Sequence, residues 1–233
     1  MNRNIIVWGD SILRGVVYDE EEKRYVRLND NSCIGMLSKD LHTDIKNRAI
    51  FGMTSTRALK PMHKAFETSS CQGDVAFIMF GGNDVDYKWS EVAQGPQGCH
   101  LPNTPLKDFI SNLADMIDTA RRHFVLPMLV NLPPLDASRY FNWFARDESS
   151  KKNVLAWLKD IQRIFFEHKA YNDAIENLSE ELKCDLVDVR SPFLEQQDYG
   201  RCLCVDGIHP NQEGHRLIEG QLYSYAQEHL VTL

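Results

Sequence analysis

The strongest constraint on the fold of this chain is a continuous apolar run, VAFIMF, at positions 75–80. A run without polar alternation is typical of a strand that is buried on both faces. The β-branched stretch IIVW at 5–8 predicts another strand, and weaker candidates lie at 125–131, 184–189 and 46–51. Strands of this kind occur in parallel sheets that helices cover on both sides.

Helical periods fill the intervals between these strands. After position 105, apolar side chains recur every three or four residues, and they are Leu106, Phe109, Ile110, Leu113, Met116, Ile117 and Ala120. A second helical region at 151–182 is long enough to predict a break near Tyr171, and a last helix is expected at 211–229. Alternating strands and helices predict right-handed crossovers in one α/β domain that spans residues 1–233.

The segment 132–150 is too long for a tight connection after a strand. It carries two prolines near its start and a cluster of aromatic residues, namely Tyr140, Phe141, Trp143 and Phe144. One interpretation is an aromatic lid or binding loop, in which Tyr140 and Trp143 contact a substrate. The other is a helical excursion whose aromatic side chains fill a local core, and the sequence leaves both open.

The charge of the chain excludes some classes of partner. The formal net charge is −7, whereas a sequence-independent nucleic-acid binder needs a basic surface. The same charge gives no electrostatic reason to bind an anionic membrane. The opening MNRNIIVWGDS lacks the apolar stretch of a secretory signal, so a cytoplasmic location is expected.

The six cysteines show no framework spacing, and they are Cys33, Cys71, Cys99, Cys184, Cys202 and Cys204. Reduced thiols are the expected state in a chain of this size. Cys202 and Cys204 precede His209 and His215, which raises the alternative of a zinc site. A single intervening residue matches known zinc spacings poorly, and no metal is predicted.

Polar residues follow the predicted strands at their carboxyl ends, where open parallel sheets bind ligands. Ser11 follows the first strand, Gly52 the second and Asn83 the third, while Asp206 and His209 precede the last helix. A serine hydroxyl becomes nucleophilic when a base lies within hydrogen-bond reach and a third group orients that base. These residues therefore predict an acyl-transfer site, with Ser11, His209 and Asp206 in these three roles.

Three groups are candidates for binding the developing oxyanion. They are the backbone N–H groups of Ser11 and Gly52 and the side-chain amide of Asn83. Each feature has a simpler explanation when taken alone: a serine after a strand is commonly an N-cap, and Gly-Gly-Asn-Asp is commonly a turn. The hypothesis depends on their combination.

The same residues resemble the SGNH hydrolases, also called the GDSL esterase/lipase family. The resemblance lies in three blocks and their order, Gly9-Asp10-Ser11 with Gly15, Gly81-Gly82-Asn83-Asp84, and Asp206-Gly207-Ile208-His209-Pro210. A looser match covers residues 47–52, where Ala49 stands at a position that is often glycine in the family. This departure puts the path of the second block in doubt.

The resemblance implies a flavodoxin-like three-layer α/β/α sandwich with a parallel sheet of about five strands. It implies Ser11 as nucleophile, His209 as base and Asp206 as its partner, with Ser11, Gly52 and Asn83 forming the oxyanion hole. It implies no metal and no organic cofactor.

The function expected from the sequence is hydrolysis of a small-molecule ester through an acyl-enzyme. Small carboxylic esters are the expected substrates, with acetyl esters of carbohydrates among the candidates. A lysophospholipase or thioesterase, a non-catalytic carbohydrate-binding domain on the same fold, and acyl transfer to an alcohol are the alternatives. Structural roles are expected for Asp10, Asp84 and His215. Arg14 is expected to be a solvated helix residue, with a substrate contact as the alternative.

Overall fold

The buried strands predicted from the sequence form one parallel sheet. A computed structural model describes residues 4–68 and 73–229. The strands in these ranges are β1 Ile5–Gly9, β2 Val16–Asp19, β3 Arg24–Arg27, β4 Ile45–Asn47, β5 Val75–Met79, β6 Leu126–Val130 and β7 Asp185–Val187. The order β4-β1-β5-β6-β7, with every neighbouring pair parallel, is that of a flavodoxin-like sheet.

Helices cover both faces of this sheet. The helices in the described ranges are α1 Ser11–Arg14, α2 Cys33–Asp40, α3 Ser55–Thr68, α4 Trp89–Gln94, α5 Leu106–Arg122, α6 Ala137–Phe144, α7 Glu148–Leu158, α8 Gln162–Leu182, α9 Ser191–Leu194 and α10 Gln212–His229. Helix α2 packs against α10, and α5 packs against α3 and α8. Every residue of β1 and β5 is buried between these layers. The predicted three-layer α/β/α fold is confirmed.

The second sequence block keeps its course despite the alanine at position 49. Beyond the end of β4, the Arg48 N–H donates to the Val7 carbonyl at 2.8 Å and the Ile50 N–H donates to the Gly9 carbonyl at 3.1 Å. Pairing with β1 therefore continues to the position predicted for the strand. Ala49 is buried, and the doubt that its presence raised is removed.

The predicted break near Tyr171 is wrong. Tyr171 lies in the middle of α8, and the break falls between α7 and α8. Lys159 has a left-handed φ of 68° and ends α7. The Asp160 carboxylate then accepts the Gln162 N–H at 2.9 Å, which satisfies a free donor at the start of the next helix.

The segment 132–150 contains a helix, α6, which agrees with the interpretation of a helical excursion. One side of α6 packs into a second hydrophobic cluster, formed by Val92, Leu135, Ala137, Phe141, Ala145, Val154, Leu158 and Ile164. The Asp136 carboxylate accepts the Arg139 N–H at 2.9 Å and caps the helix. This second cluster fixes α6 over the carboxyl ends of the sheet strands.

Strands β2 and β3 form a separate antiparallel hairpin that the sequence analysis did not predict. The Asp19 carboxylate accepts the N–H groups of Glu21 and Glu22, both at 2.9 Å, and so stabilises the turn. Tyr18 and Tyr25 are opposite each other in the hairpin. The strands have only four residues each, which is too short for a clear periodic signal in the sequence.

Candidate active site

Ser11 lies where β1 ends and α1 begins. The Asp10 carboxylate accepts the Ile12 N–H at 2.9 Å and caps α1, so Ser11 is the first helical residue. The strand order reverses at β1, whose neighbours are β4 and β5. Ligands of open α/β sheets bind at such a switch point, beyond the carboxyl ends of the strands. Ser11 therefore stands at the position where this fold class binds ligands.

Ser11, His209 and Asp206 form one hydrogen-bonded row. The Nε2 atom of His209 lies 2.9 Å from Ser11 Oγ, and its Nδ1 lies 2.6 Å from Asp206 Oδ2. All three residues are buried. Because the Asp206 carboxylate accepts the hydrogen bond of the Nδ1–H group, Nε2 is left to accept the hydrogen bond of the serine hydroxyl. The structure thus brings together three residues that are nearly 200 positions apart at the extremes.

The loop that carries Asp206 and His209 is held from two directions. Oδ1 of Asp206 accepts the N–H groups of Ile208 and His209, both at 3.1 Å. Gly207 has a left-handed φ of 75°, and a Cβ there would lie 2.8 Å from the Asp136 carbonyl. The Asp136 N–H also donates to the Gly207 carbonyl at 2.8 Å. Glycine is required because α6 approaches the loop backbone this closely.

The pKa of Asp206 is lowered despite its burial. Burial alone would raise the pKa, because the charged form loses its hydration. The hydrogen bond from His209, the charge of that imidazole and the backbone N–H donors outweigh this effect. Asp206 is therefore ionised and able to orient the imidazole.

Asn83 lies beside Ser11 in the wall of the same cavity. Its Nδ2 donates one hydrogen bond to Asp10 Oδ2 at 3.1 Å, which leaves its second N–H for another acceptor. Burial raises the pKa of Asp10 to about 6, although the Ile12 N–H opposes this rise. The carboxyl of Asp10 thus connects the cap of α1 to the side chain predicted to bind an oxyanion.

Phe51 forms part of the cavity wall, whereas its neighbour Gly52 does not. Gly52 has a left-handed φ of 67°, and the Phe51 ring stacks on His209 with centroids 6.1 Å apart. The Asp84 carboxylate accepts the N–H and hydroxyl groups of Ser55, at 2.9 and 2.6 Å. Asp84 therefore joins the loop that carries Gly52 to the loop that carries Asn83, which is a structural role.

An apolar cavity of about 230 Å³ opens beside Ser11. Tyr140 and Trp143, both predicted as substrate contacts, lie in its wall. Aromatic and aliphatic side chains form most of that wall, and besides these two they are Ile12, Tyr25, Phe51, Val85, Tyr87, Trp89, Pro133, Leu135, Phe144, Ile164 and Ile208. The remaining polar groups in the wall include Asp86, Glu167 and His168. The cavity therefore suits a small, largely apolar ligand.

Several residues of this cavity were not predicted from the sequence. Oδ1 of Asp86 accepts hydrogen bonds from Tyr140 Oη at 2.7 Å and from Trp89 Nε1 at 2.8 Å. Asp86 follows the Gly81–Asp84 block closely, which is the one signal that could have identified it. Tyr25 carried no such signal, because the hairpin was not recognised.

Of the remaining residues, His215 has the structural role expected of it, whereas Arg14, expected to be solvated, is partly buried. The Arg14 guanidinium donates to the Ala49 carbonyl at 2.9 Å. His215 Nδ1 accepts the Cys33 N–H at 3.3 Å and joins α10 to α2. Burial lowers the pKa of His215 to about 4, so this imidazole is neutral at neutral pH.

The described cysteines Cys33, Cys99, Cys184, Cys202 and Cys204 are free thiols, and Cys71 lies outside the described residues. Burial raises the pKa of Cys204 to about 11, which disfavours the thiolate that zinc requires. Within residues 4–68 and 73–229, no cluster of three histidine, cysteine or acidic side chains is arranged to hold a metal ion.

Comparison with known proteins identifies the family. The model of the GDSL-like Lipase/Acylhydrolase family matches residues 7–217. The chain belongs to this GDSL family. The match includes all three sequence blocks, from Gly9-Asp10-Ser11 to Asp206–Pro210, and the homologues of this GDSL protein support a hydrolase.

Two GDSL relatives and one solved structure show the extent of the similarity. GDSL esterase/lipase CPRD49 of Arabidopsis thaliana is 25% identical over 189 residues, which are 79% of this chain and 67% of the relative. The isoamyl acetate-hydrolyzing esterase of Saccharomyces cerevisiae is 24% identical over 180 residues, which are 77% of this chain and 67% of that esterase. The structure of a carbohydrate acetylesterase family member from Sinorhizobium meliloti has a TM-score of 0.68 at 17% identity. It covers 99% of this chain and 100% of its own, and this likeness shows a common fold.

Among the helices of this GDSL protein that the structure describes, none combines the length and the apolar character that crossing a bilayer requires.

Proposed function

We propose that this GDSL protein is a serine esterase that hydrolyses small carboxylic esters through an acyl-enzyme on Ser11. The observation that carries the proposal is the row of Ser11, His209 and Asp206, with distances of 2.9 and 2.6 Å between successive side chains. A hydroxyl within reach of an oriented imidazole is the arrangement that activates a serine for acyl transfer.

The reaction begins when Ser11 Oγ attacks the ester carbonyl carbon and His209 Nε2 takes the hydroxyl proton. The tetrahedral oxyanion accepts hydrogen bonds from the Ser11 and Gly52 N–H groups and from Asn83 Nδ2. The bond between the carbonyl carbon and the alcohol oxygen then breaks. His209 gives its proton to this oxygen, so the product alcohol departs and the acyl group remains bonded to Ser11. Water, deprotonated by His209, attacks the carbonyl carbon of the acyl-enzyme. The bond to Ser11 Oγ then breaks, His209 returns the proton to Oγ, and the carboxylic acid leaves.

The cavity favours small substrates over long-chain lipids. Its volume of about 230 Å³ is below the roughly 300–1,000 Å³ of sites that enclose drug-sized ligands. The yeast relative is named for the hydrolysis of isoamyl acetate, an ester with a two-carbon acyl group. Acetyl esters, including those of carbohydrates, are therefore the first substrates to test.

A panel of acetate, butyrate, octanoate and palmitate esters of one alcohol tests this proposal, together with acetylated sugars, a lysophospholipid and an acyl thioester. We expect kcat/KM to be highest for acetate or butyrate and to fall as the acyl chain lengthens. Ser11→Ala should lose turnover on every substrate, and an unchanged melting temperature should show that the variant is folded. Turnover that survives in Ser11→Ala would overturn the proposed nucleophile, and a preference for palmitate, the lysophospholipid or the thioester would overturn the proposed substrate class.

Binding without catalysis is the alternative from another class of function. A carbohydrate-binding module has no chemical need for an oriented serine, imidazole and carboxylate in one row. Binding of acetylated sugars with equal affinity by the parent protein and Ser11→Ala, and without turnover in either, would favour this alternative.

A further inference from the structure

The hairpin of β2 and β3 brings a phenol to the acidic end of the row. It leaves the main fold just after α1, where the Leu28 N–H donates to the Gly15 carbonyl and Arg27 Nε donates to the Arg14 carbonyl, both at 2.9 Å. Tyr25 lies on β3, and its Oη donates to Asp206 Oδ2 at 3.1 Å. The same carboxylate oxygen accepts the hydrogen bond from His209 Nδ1.

The hydroxyl of Tyr25 completes the hydrogen bonding of the Asp206 carboxylate. Oδ1 already accepts two backbone N–H groups, and Oδ2 accepts from His209 and from Tyr25. Asp206 is fully buried, so each donor replaces hydration that the carboxylate has lost. Burial, reinforced by the charge of Asp206, raises the pKa of the Tyr25 phenol, which therefore remains a donor at physiological pH.

The ring of Tyr25 also restricts the imidazole. It lies against His209 with centroids 5.0 Å apart, while Phe51 stacks on the same imidazole at 6.1 Å. The ring is held in turn by Tyr18, its cross-strand partner, at 5.3 Å and by Trp143 at 6.3 Å. Hydroxyl and ring together fix the two groups that must stay aligned with Ser11.

We propose that Tyr25 is a positioning residue for hydrolysis, acting through Asp206 and His209. Its hydroxyl holds the carboxylate in the orientation that His209 needs and takes up part of the carboxylate charge. This inference rests on the proposed esterase function. It adds a fourth member, supplied by a hairpin outside the main sheet, to the row of three that the sequence predicted.

Tyr25→Phe removes the hydroxyl and keeps the ring. Tyr18→Phe is the matched control, because Tyr18 is opposite Tyr25 in the same hairpin and does not line the cavity. We expect kcat of Tyr25→Phe to fall roughly tenfold, as for the loss of one hydrogen bond to a charged group, while KM stays within about twofold. Tyr18→Phe should keep the kcat and KM of the parent protein.

The pH dependence of kcat/KM separates a positioning role of Tyr25 from a role in packing alone, which would leave this dependence unchanged. Without the phenol, more of the Asp206 charge is available to stabilise the imidazolium, so the acidic limb of kcat/KM should move to higher pH in Tyr25→Phe. The other titratable groups near Asp206 and His209 are Asp10, Cys204 and His215. They are the same in both variants, so a shift confined to Tyr25→Phe belongs to its hydroxyl.

Labelling by a fluorophosphonate separates failure of this inference from failure of the proposed function. If the parent protein is labelled at Ser11 but the two variants have equal kcat and equal pH profiles, the role of Tyr25 is refuted and the esterase stands. A raised KM with unchanged kcat in Tyr25→Phe would also refute it, since Tyr25 would then act on substrate binding. If the parent protein is neither labelled nor active, the proposed function itself fails.

Discussion

Asp10 shows how one residue can serve local structure and the candidate site together. One carboxylate oxygen caps α1 and thereby fixes Ser11, and the other accepts a hydrogen bond from Asn83. Ser11 follows β1 and Asn83 follows β5, and these two strands are adjacent in the sheet. A single buried side chain therefore aligns the proposed nucleophile with a proposed oxyanion donor.

Asn83→Ala tests the oxyanion role at the scale of one residue. If the Asn83 amide binds the oxyanion of the transition state more strongly than the ester carbonyl, its removal should lower kcat by a factor on the order of 10²–10³. KM should change little. Asn142→Ala, which replaces an exposed asparagine of α6, is the control and should match the parent protein. Parent-like kcat in Asn83→Ala would remove Asn83 from the mechanism.

At the scale of elements, α6 has two functions on two faces. Phe141 enters the second hydrophobic cluster, while Tyr140, Trp143 and Phe144 face the cavity. The sequence offered a lid and a local core as alternatives for 132–150, and the helical period places both kinds of side chain on one element. Motion of α6 as a lid stays a prediction.

Trp143→Ala tests the wall that α6 provides. Trp143 packs on Tyr18 with centroids 4.6 Å apart and lies under the Arg146 guanidinium at 5.3 Å. Loss of this aromatic surface should raise KM roughly five- to tenfold and change kcat less. Phe166→Ala, at an exposed phenylalanine of α8 outside the cavity wall, serves as the control. An unchanged KM on every ester would show that Trp143 does not contact the substrate.

Sequence alone predicted the elements whose signal is local. The apolar run at 75–80 and the glycine-rich blocks identified the sheet and the positions of Ser11, Asn83 and His209. The break between the two helices was predicted near Tyr171 and lies at Lys159. One residue with a left-handed φ leaves little trace in the spacing of the apolar residues. Tyr25 and Asp86 were missed since their contacts, with Asp206 and Tyr140, join separate parts of the chain and depend on tertiary structure.

At the scale of the whole molecule, burial makes stability depend on pH. Burial lowers the pKa of His168 to about 3 and that of His215 to about 4, both below the ordinary value of 6.5. The unfolded chain therefore binds more protons than the folded chain below about pH 6.5, and folding stability falls as the pH drops. The pKa of Asp10, raised from 3.8 to about 6, has the opposite effect. Between these two values the folded chain binds the extra proton, so this group stabilises the folded chain as the pH drops.

His168→Leu isolates one of these contributions. The Nδ1 atom of His168 has no hydrogen-bond partner among the described residues, so leucine removes a titratable group without breaking a bond there. Between pH 7 and pH 5, the parent protein should lose about 2 kcal/mol more unfolding free energy than the variant. Urea denaturation at both pH values measures this difference. His42→Asn, at an exposed histidine with a left-handed φ, should lose as much as the parent protein, and equal losses in all three proteins would refute the assignment.

The most direct test of the whole account is the rate at which a fluorophosphonate labels Ser11, followed by intact mass and peptide mapping. An imidazole held 2.9 Å from the hydroxyl predicts one label per chain, located on Ser11. The label should be absent from Ser11→Ala, and labelling of His209→Gln should be slower by on the order of 10³. Equal labelling rates in the parent protein and His209→Gln, or a label on any other residue, would contradict the central claim that folding makes this serine a nucleophile.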